Sequence, residues 1–293
     1  MDSELSPPHP TKTGQFGPLH VIQPPAEHSQ TAVMLHGLGS TGEEFAKELF
    51  ASNLSNGSSL RDEFPGCRWV FPSSKELWSS TFQEDMPAWF EAPSLTDTTA
   101  GQDLQAPGIR DSVAYLCGIL NDEISLVGGR PERVVLGGIS QGGAIAMWTL
   151  LCHPQARAQG LCAFVGASTW LPFAVDIEAI LSKRPTGASP VQTTAGDLRD
   201  FVEEMVAPLR DGLHQTDSAY PLLRTPVFMG HGLDDAYVDI ELGREAASIL
   251  SSIGFSVEWK GYSGAEQEGH WLKIPEELDD IRAFLAGAMT KGK

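Results

Sequence analysis

The sequence predicts an α/β fold, with a mostly parallel central sheet covered by helices on both faces. Apolar runs of strand length alternate with stretches of helical periodicity along most of the chain, the pattern that parallel strands joined by crossover helices produce. One such run, Val134-Val135-Leu136, continues through Gly138-Ile139-Ser140-Gln141-Gly142-Gly143 into the helix-compatible Ala144-Ile145-Ala146-Met147-Trp148. Two carboxylates, Asp234 and Asp235, and then His270 follow that serine in chain order.

The elements are expected in the following order. Met1 to Gln30 is polar and proline-bearing, without the apolar core of a signal peptide, and reads as an extension over residues 1–30. Strands are expected at Thr31–Leu35, Arg68–Phe71, Arg133–Gly137, Gly160–Val165, Pro226–Met229 and Ser256–Gly261. Between the second and third, Asp111–Leu126 places Val113, Leu116, Ile119, Leu120 and Ile124 at helical spacing, as a crossover helix would. Leu198, Phe201, Val202, Met205 and Leu209 make another apolar helix face. That face lies within residues 173–224, where an insertion can overhang a site at the sheet end as a small cap; the competing expectation is a helix packed on the sheet. A last amphipathic segment runs from Ile274-Pro275 to Leu285, and no linker divides residues 31–288, so one domain is expected.

Strand, sharp turn and helix around Ser140 read as a nucleophile elbow. The turn holds its serine in a strained backbone conformation, and the residues two before and two after it must be small; Gly138 and Gly142 fill both places. A serine hydroxyl is a weak nucleophile until a base removes its proton, so an acid and a histidine are required further along. Thr225-Pro226-Val227-Phe228-Met229-Gly230-His231-Gly232-Leu233-Asp234-Asp235 is a buried-strand pattern ending in a turn with two carboxylates, and Gly269-His270 precedes the last helix. The order serine, acid, histidine is that of the α/β-hydrolases. Val33-Met34-Leu35-His36-Gly37-Leu38-Gly39 runs from a strand into a glycine-rich loop suited to presenting backbone N–H groups. The main-chain amides of Leu38 and Gln141 are the expected oxyanion donors.

These stretches, together with Met86-Pro87-Ala88-Trp89-Phe90 and Trp170-Leu171-Pro172, resemble the acyl-protein thioesterase family, also called the phospholipase/carboxylesterase family, from about Val33 to Leu285. The chain is longer than compact members and is similar to the larger ones of filamentous fungi. The resemblance implies an α/β-hydrolase fold with Ser140 as nucleophile, Asp235 as acid and His270 as base. Asp235 is preferred to Asp234 because it stands four residues after His231, as in the family. It also implies that Trp89, Phe90, Trp170 and Leu171 bind substrate, to which the cap reading adds Phe201. Members of the family hydrolyse thioesters of palmitoylated proteins, lysophospholipids or simple carboxylic esters, without a cofactor. Ser40 stands where the family loop usually has an acid, and Trp271-Leu272-Lys273 lacks the serines and cysteine common there.

Composition narrows the partners. Twenty basic against 38 acidic residues give a net charge of −18, which opposes nucleic acid and anionic lipid. No apolar run approaches the ~18 residues of a membrane span, so a cytoplasmic protein without stable membrane insertion is expected, acting on a small ester or thioester or on an acylated protein. Cys67, Cys117, Cys152 and Cys162 have no C-x-x-C spacing and are expected as thiols. His36 and His231 sit beside glycines in turns at strand ends and are expected to hold loops; no H-E-x-x-H or close ligand pair suggests a metal. Two other functions fit the residues: an esterase or acyltransferase dedicated to a small metabolite, and a non-catalytic binding protein of the same fold. The complete serine, acid and histidine set weighs against the second.

Overall fold

A computed structural model describes residues 14–94, 97–181, 201–205 and 224–291. Seven strands form the main sheet in the order β1-β3-β2-β6-β7-β8-β9. They are β1 (His20–Ile22), β2 (Gln30–Leu35), β3 (Cys67–Phe71), β6 (Val134–Ile139), β7 (Ala163–Ala167), β8 (Pro226–Gly232) and β9 (Ser256–Tyr262). Only β1 runs antiparallel, against β3; the other neighbours are parallel. A separate hairpin joins β4 (Lys75–Ser79) to β5 (Glu84–Ala88).

Both faces of the inner strands are buried, which is why β2, β6, β7 and β8 read as continuous apolar runs, whereas the edge strands β1 and β9 are only partly buried. Along β2, Val33 and Leu35 point into one core with α3 (Gln102–Leu126), α4 (Ser140–Cys152) and α8 (Ile240–Ile253). Ala32 and Met34 point into the other, with α1 (Gly42–Ala51) and α9 (Glu276–Lys291). The α4 helix is buried from Ser140 to Leu151, so it is apolar on all sides rather than amphipathic. Shorter helices are α2 (Leu60–Glu63), α5 (Pro154–Gln159) and α6 (Ala174–Leu181); the described residues 201–205 are also helical and are here called α7.

Several elements differ from the sequence reading. The domain begins before residue 31, because β1 pairs with β3 and Phe16 stacks on Tyr115 with ring centroids 3.9 Å apart. The expected strand at Gly160–Val165 starts instead at Ala163, since Gly160 ends α5 with φ +80°. The α3 helix starts at Gln102 rather than Asp111 and passes through Pro107 and Gly108. A Cβ on Gly108 would sit 2.7 Å from the Phe90 Cα, so close packing there carries the helix across two residues that disfavour it.

One buried carboxyl in this frame gives a stability prediction. Glu277 of α9 accepts the Lys273 N–H at 2.9 Å through Oε2, while Oε1 is buried against Gly230 with no partner among the described residues. Burial pushes this carboxyl up to about 7. Between the usual carboxylate range and that value the folded state holds a proton that the unfolded state has lost, so stability falls as pH rises through this window, by ~3 kcal/mol. Glu277→Gln is expected to flatten that decline when unfolding free energies in urea are compared at about pH 5 and about pH 8; an equal decline in both proteins would contradict it.

Candidate active site

Chain connections leave β2 toward β3 on one side and β6 toward β7 on the other, so a crevice opens at the carboxyl ends of β2 and β6. Ser140 stands at that point. It follows β6, has φ +54° and opens α4, a non-glycine residue held in the left-handed region as the elbow requires. A Cβ on Gly138 would lie 2.7 Å from the Gly142 carbonyl carbon, and one on Gly142 would collide with the His36 oxygen. Strand and helix therefore close only because both positions lack side chains.

The acid and the histidine meet at the ends of β8 and β9. Asp235 Oδ2 and Oδ1 lie 2.8 and 3.0 Å from His270 Nδ1. Oδ1 also accepts the Tyr237 and Val238 N–H groups at 2.9 and 3.0 Å. The Asp235 side chain has no exposed surface, whereas His270 keeps 18%. Burial acts to raise the Asp235 carboxyl, but hydrogen bonds from His231 and His270 outweigh it and hold the group well below the usual carboxylate range. Asp234 instead accepts the Gly264 N–H, at 3.1 and 3.2 Å, and is exposed. His270 is presented by a left-handed turn in which Gln267, Glu268 and Gly269 have φ of 49°, 54° and 83°.

The loop after β2 is fixed by its neighbours. Ser74 N–H donates to His36 Nε2 at 3.0 Å, so the ring proton is on Nδ1, which donates to the Gly37 carbonyl at 2.6 Å. Burial lowers this imidazole to about 4, with the Gly37 contact opposing the shift. Trp89 Nε1 donates to the His36 oxygen at 2.9 Å, and Gly39 N–H donates to Pro87 at 2.8 Å. The Gln141 side chain bridges the elbow to the same segment: its Oε1 accepts the Trp89 N–H at 2.7 Å and its Nε2 donates to the Phe90 carbonyl at 2.9 Å.

Ser140, His270, Leu38 and Gln141 all line one cavity of about 450 Å³. Of the five residues expected to bind substrate, Trp170 lines it. Trp89, Phe90, Leu171 and Phe201 lie in the core instead, with exposures of 1%, 0%, 4% and 4%. Trp89 and Phe90 are turned inward because their main chain is held by Gln141 and by Ser112, whose Oγ donates to the Trp89 carbonyl at 2.7 Å. The apolar wall is completed by Phe45, Phe82, Met86, Ile139, Val238 and Trp271. Sequence reasoning missed most of these; Met86 belonged to a quoted motif, but its side chain was not distinguished from those of Trp89 and Phe90.

Of the expected cap helix, Leu198 and Leu209 lie outside the described residues. Phe201 packs between Trp148 and Phe173, with ring centroids 5.7 and 5.3 Å away. Phe201→Ala is therefore expected to cost ~3–5 kcal/mol of folding free energy and to leave the ranking of short and long acyl esters unchanged. Unchanged thermal unfolding with an altered ranking would contradict this placement.

The described phospholipase/carboxylesterase family matches residues 17–199. The chain belongs to this family. Acyl-protein thioesterase 1 of Gibberella zeae is 31% identical over 277 residues, which cover 93% of this chain and 96% of that protein. A probable carboxylesterase SOBER1-like protein of Arabidopsis thaliana is 29% identical, over 87% of this chain and 77% of the relative. Zea mays acyl-protein thioesterase 2 shares the fold, with a TM-score of 0.62 at 22% identity, over 93% of this chain and 99% of that structure. As a member of the family, the hydrolase cleaves carboxylic esters or thioesters by serine chemistry.

Proposed function

We propose that the hydrolase works through an acyl-enzyme on Ser140, with His270 as base and Asp235 as the acid that orients it. Ser140 Oγ attacks the substrate carbonyl carbon as His270 takes its proton; the amides of Leu38 and Gln141 bind the developing oxyanion. Collapse breaks the bond to the alcohol or thiol, which leaves with the proton from His270. Water then attacks the acyl-enzyme with His270 again as base, and the carboxylic acid departs. The observation that carries this reading is the His270–Asp235 contact of 2.8 Å on the wall of the cavity that Ser140 enters from the elbow.

The substrate under this proposal is a small ester or thioester, or an acylated protein, with an apolar acyl group. Phe45, Phe82, Met86, Trp170 and Trp271 offer that group an apolar wall, and the cavity volume of about 450 Å³ is within the range of ~300–1,000 Å³ usual for small-molecule sites. The names of the relatives, thioesterases and carboxylesterases, support both leaving atoms. A cytoplasmic setting belongs to the same proposal. It is supported by four cysteine thiols without a disulfide, and by the observation that no described helix is long and apolar enough to cross a membrane. Rates for matched p-nitrophenyl esters and acyl thioesters of increasing chain length test the substrate reading. A rise in kcat/KM with acyl length in both series is expected, and turnover confined to acetyl substrates would contradict it.

A further inference from the structure

We infer that His231 is a positioning residue for the reaction, a second imidazole that donates to Asp235 beside His270. The inference rests on the proposed role of Asp235 as the acid. His231 lies on β8 four residues before Asp235, with a side chain that has no exposed surface. Its Nε2 is 2.9 Å from the Val238 carbonyl oxygen and 3.3 Å from Asp235 Oδ2. Both neighbours are acceptors, so Nε2 carries the ring proton and shares it between them. Nδ1, the other ring nitrogen, is buried without a partner among the described residues.

The packing around the ring holds this arrangement. The imidazole lies 6.0 Å from the Trp259 ring of β9, and a Cβ on Gly243 of α8 would collide with Nδ1. Gly243 therefore lets the helix close on the ring without displacing it toward Asp235. His231 also ties the two ends of the acid's turn together: it donates to the Val238 carbonyl while the Val238 N–H donates to Asp235 Oδ1 at 3.0 Å.

A count of donors shows what the residue does. Oδ1 accepts from two backbone amides and shares the His270 Nδ1–H, while Oδ2 accepts from His270 and, among the described residues, has the His231 Nε2–H at 3.3 Å as its other donor neighbour. The carboxylate has no exposed surface, so water cannot replace a donor that is removed. Loss of the His231 N–H would leave Oδ2 under-satisfied and free the carboxylate plane to turn, and His270 takes its orientation from that plane. His231 thus acts through Asp235 on the reaction and does not touch the substrate.

The test is steady-state kinetics on a soluble short-chain p-nitrophenyl ester for the wild type, His231→Phe, His231→Gln and Asp235→Asn. Phenylalanine keeps the ring volume and removes the donor, and kcat is expected to fall about ten- to a hundredfold with KM within about twofold. Glutamine can place its amide nitrogen near the lost Nε2, and kcat is expected to return to within about threefold of wild type. Wild-type kcat in His231→Phe, or equal loss in both variants, would overturn the inference and make the ring a packing element. Unimpaired Asp235→Asn would instead overturn the underlying acid assignment, whereas an impaired Asp235→Asn beside an unimpaired His231→Phe defeats this inference alone. Should His231→Phe fail to fold, ring nitrogen–proton correlation spectra of the wild type, assigned with His231→Gln, decide. An Nε2–H tautomer across the range of activity supports the inference, and a proton on Nδ1 overturns it.

Discussion

Ser140→Ala is expected to lower kcat by ~10⁶-fold and to leave the cooperative unfolding transition in place. The size of the loss follows from what the side chain does: without Oγ no acyl-enzyme forms, and only binding and the oxyanion donors remain to aid direct attack by water. The fold should tolerate the change, because alanine removes one hydroxyl from a residue that is 8% exposed at the floor of the cavity. The left-handed backbone at φ +54° is imposed by β6 and α4 rather than by the hydroxyl. Residual ester hydrolysis above a few per cent with an unchanged circular dichroism spectrum would point to a different nucleophile.

Asp235→Asn is expected to cost ~10⁴-fold in kcat, because an amide in place of the carboxylate stabilises the wrong tautomer of the histidine. In this hydrolase the carboxylate accepts from His270 Nδ1 at 2.8 Å, which under the proposed mechanism leaves Nε2 to accept the serine proton. An asparagine NH₂ turned toward the same nitrogen would reverse that assignment. Asp234→Asn should cost much less, since Asp234 holds the Gly264 N–H and touches no imidazole among the described contacts. Parallel kcat measurements on the two variants, at matched thermal stability, decide between the adjacent acids; a larger loss in Asp234→Asn would reverse them.

The parts of the fold that could be read from sequence were those where burial on both sides leaves no choice of residue. β2, β6 and β8 lie inside the sheet, and each reads as an unbroken apolar run because both of its faces meet a core. β1 escaped notice because three residues, His20-Val21-Ile22, carry too little pattern to register. The β4–β5 hairpin escaped for another reason: its strands are half-exposed, charged at Glu76, Glu84 and Asp85, and interrupted by Pro87, which argues against a strand. The front half of α3 was hidden by Pro107 and Gly108, where packing against Phe90 overrides local propensity.

The site divides in the same way. The proposed set of Ser140, Asp235 and His270 was legible as a pattern because the backbone settings of such a set demand marked sequences: glycines two residues either side of the serine, a carboxylate turn after a buried strand, and a glycine before the histidine. The cavity wall was not, because it depends on which way a side chain turns at a loop. Met86 faces the cavity while Trp89 and Phe90, three and four residues later, face the core. Their inward turn follows from hydrogen bonds to Gln141 and Ser112, residues 52 and 23 positions away from Trp89, which no local pattern contains. Phe201 was drawn toward the site by its position in the chain, yet Trp148 and Phe173 supply it with an apolar environment in the core.

The central claim is that the chemistry passes through a covalent bond to Ser140, and a mass measurement tests it most directly. Incubation with a fluorophosphonate, followed by intact mass and peptide mapping, should show a single phosphonyl adduct on the peptide containing Ser140. The adduct should appear in step with loss of esterase activity, be slowed by excess ester substrate and be absent from Ser140→Ala. Inactivation with the adduct on another residue, or full activity retained by protein labelled on Ser140, would contradict the account.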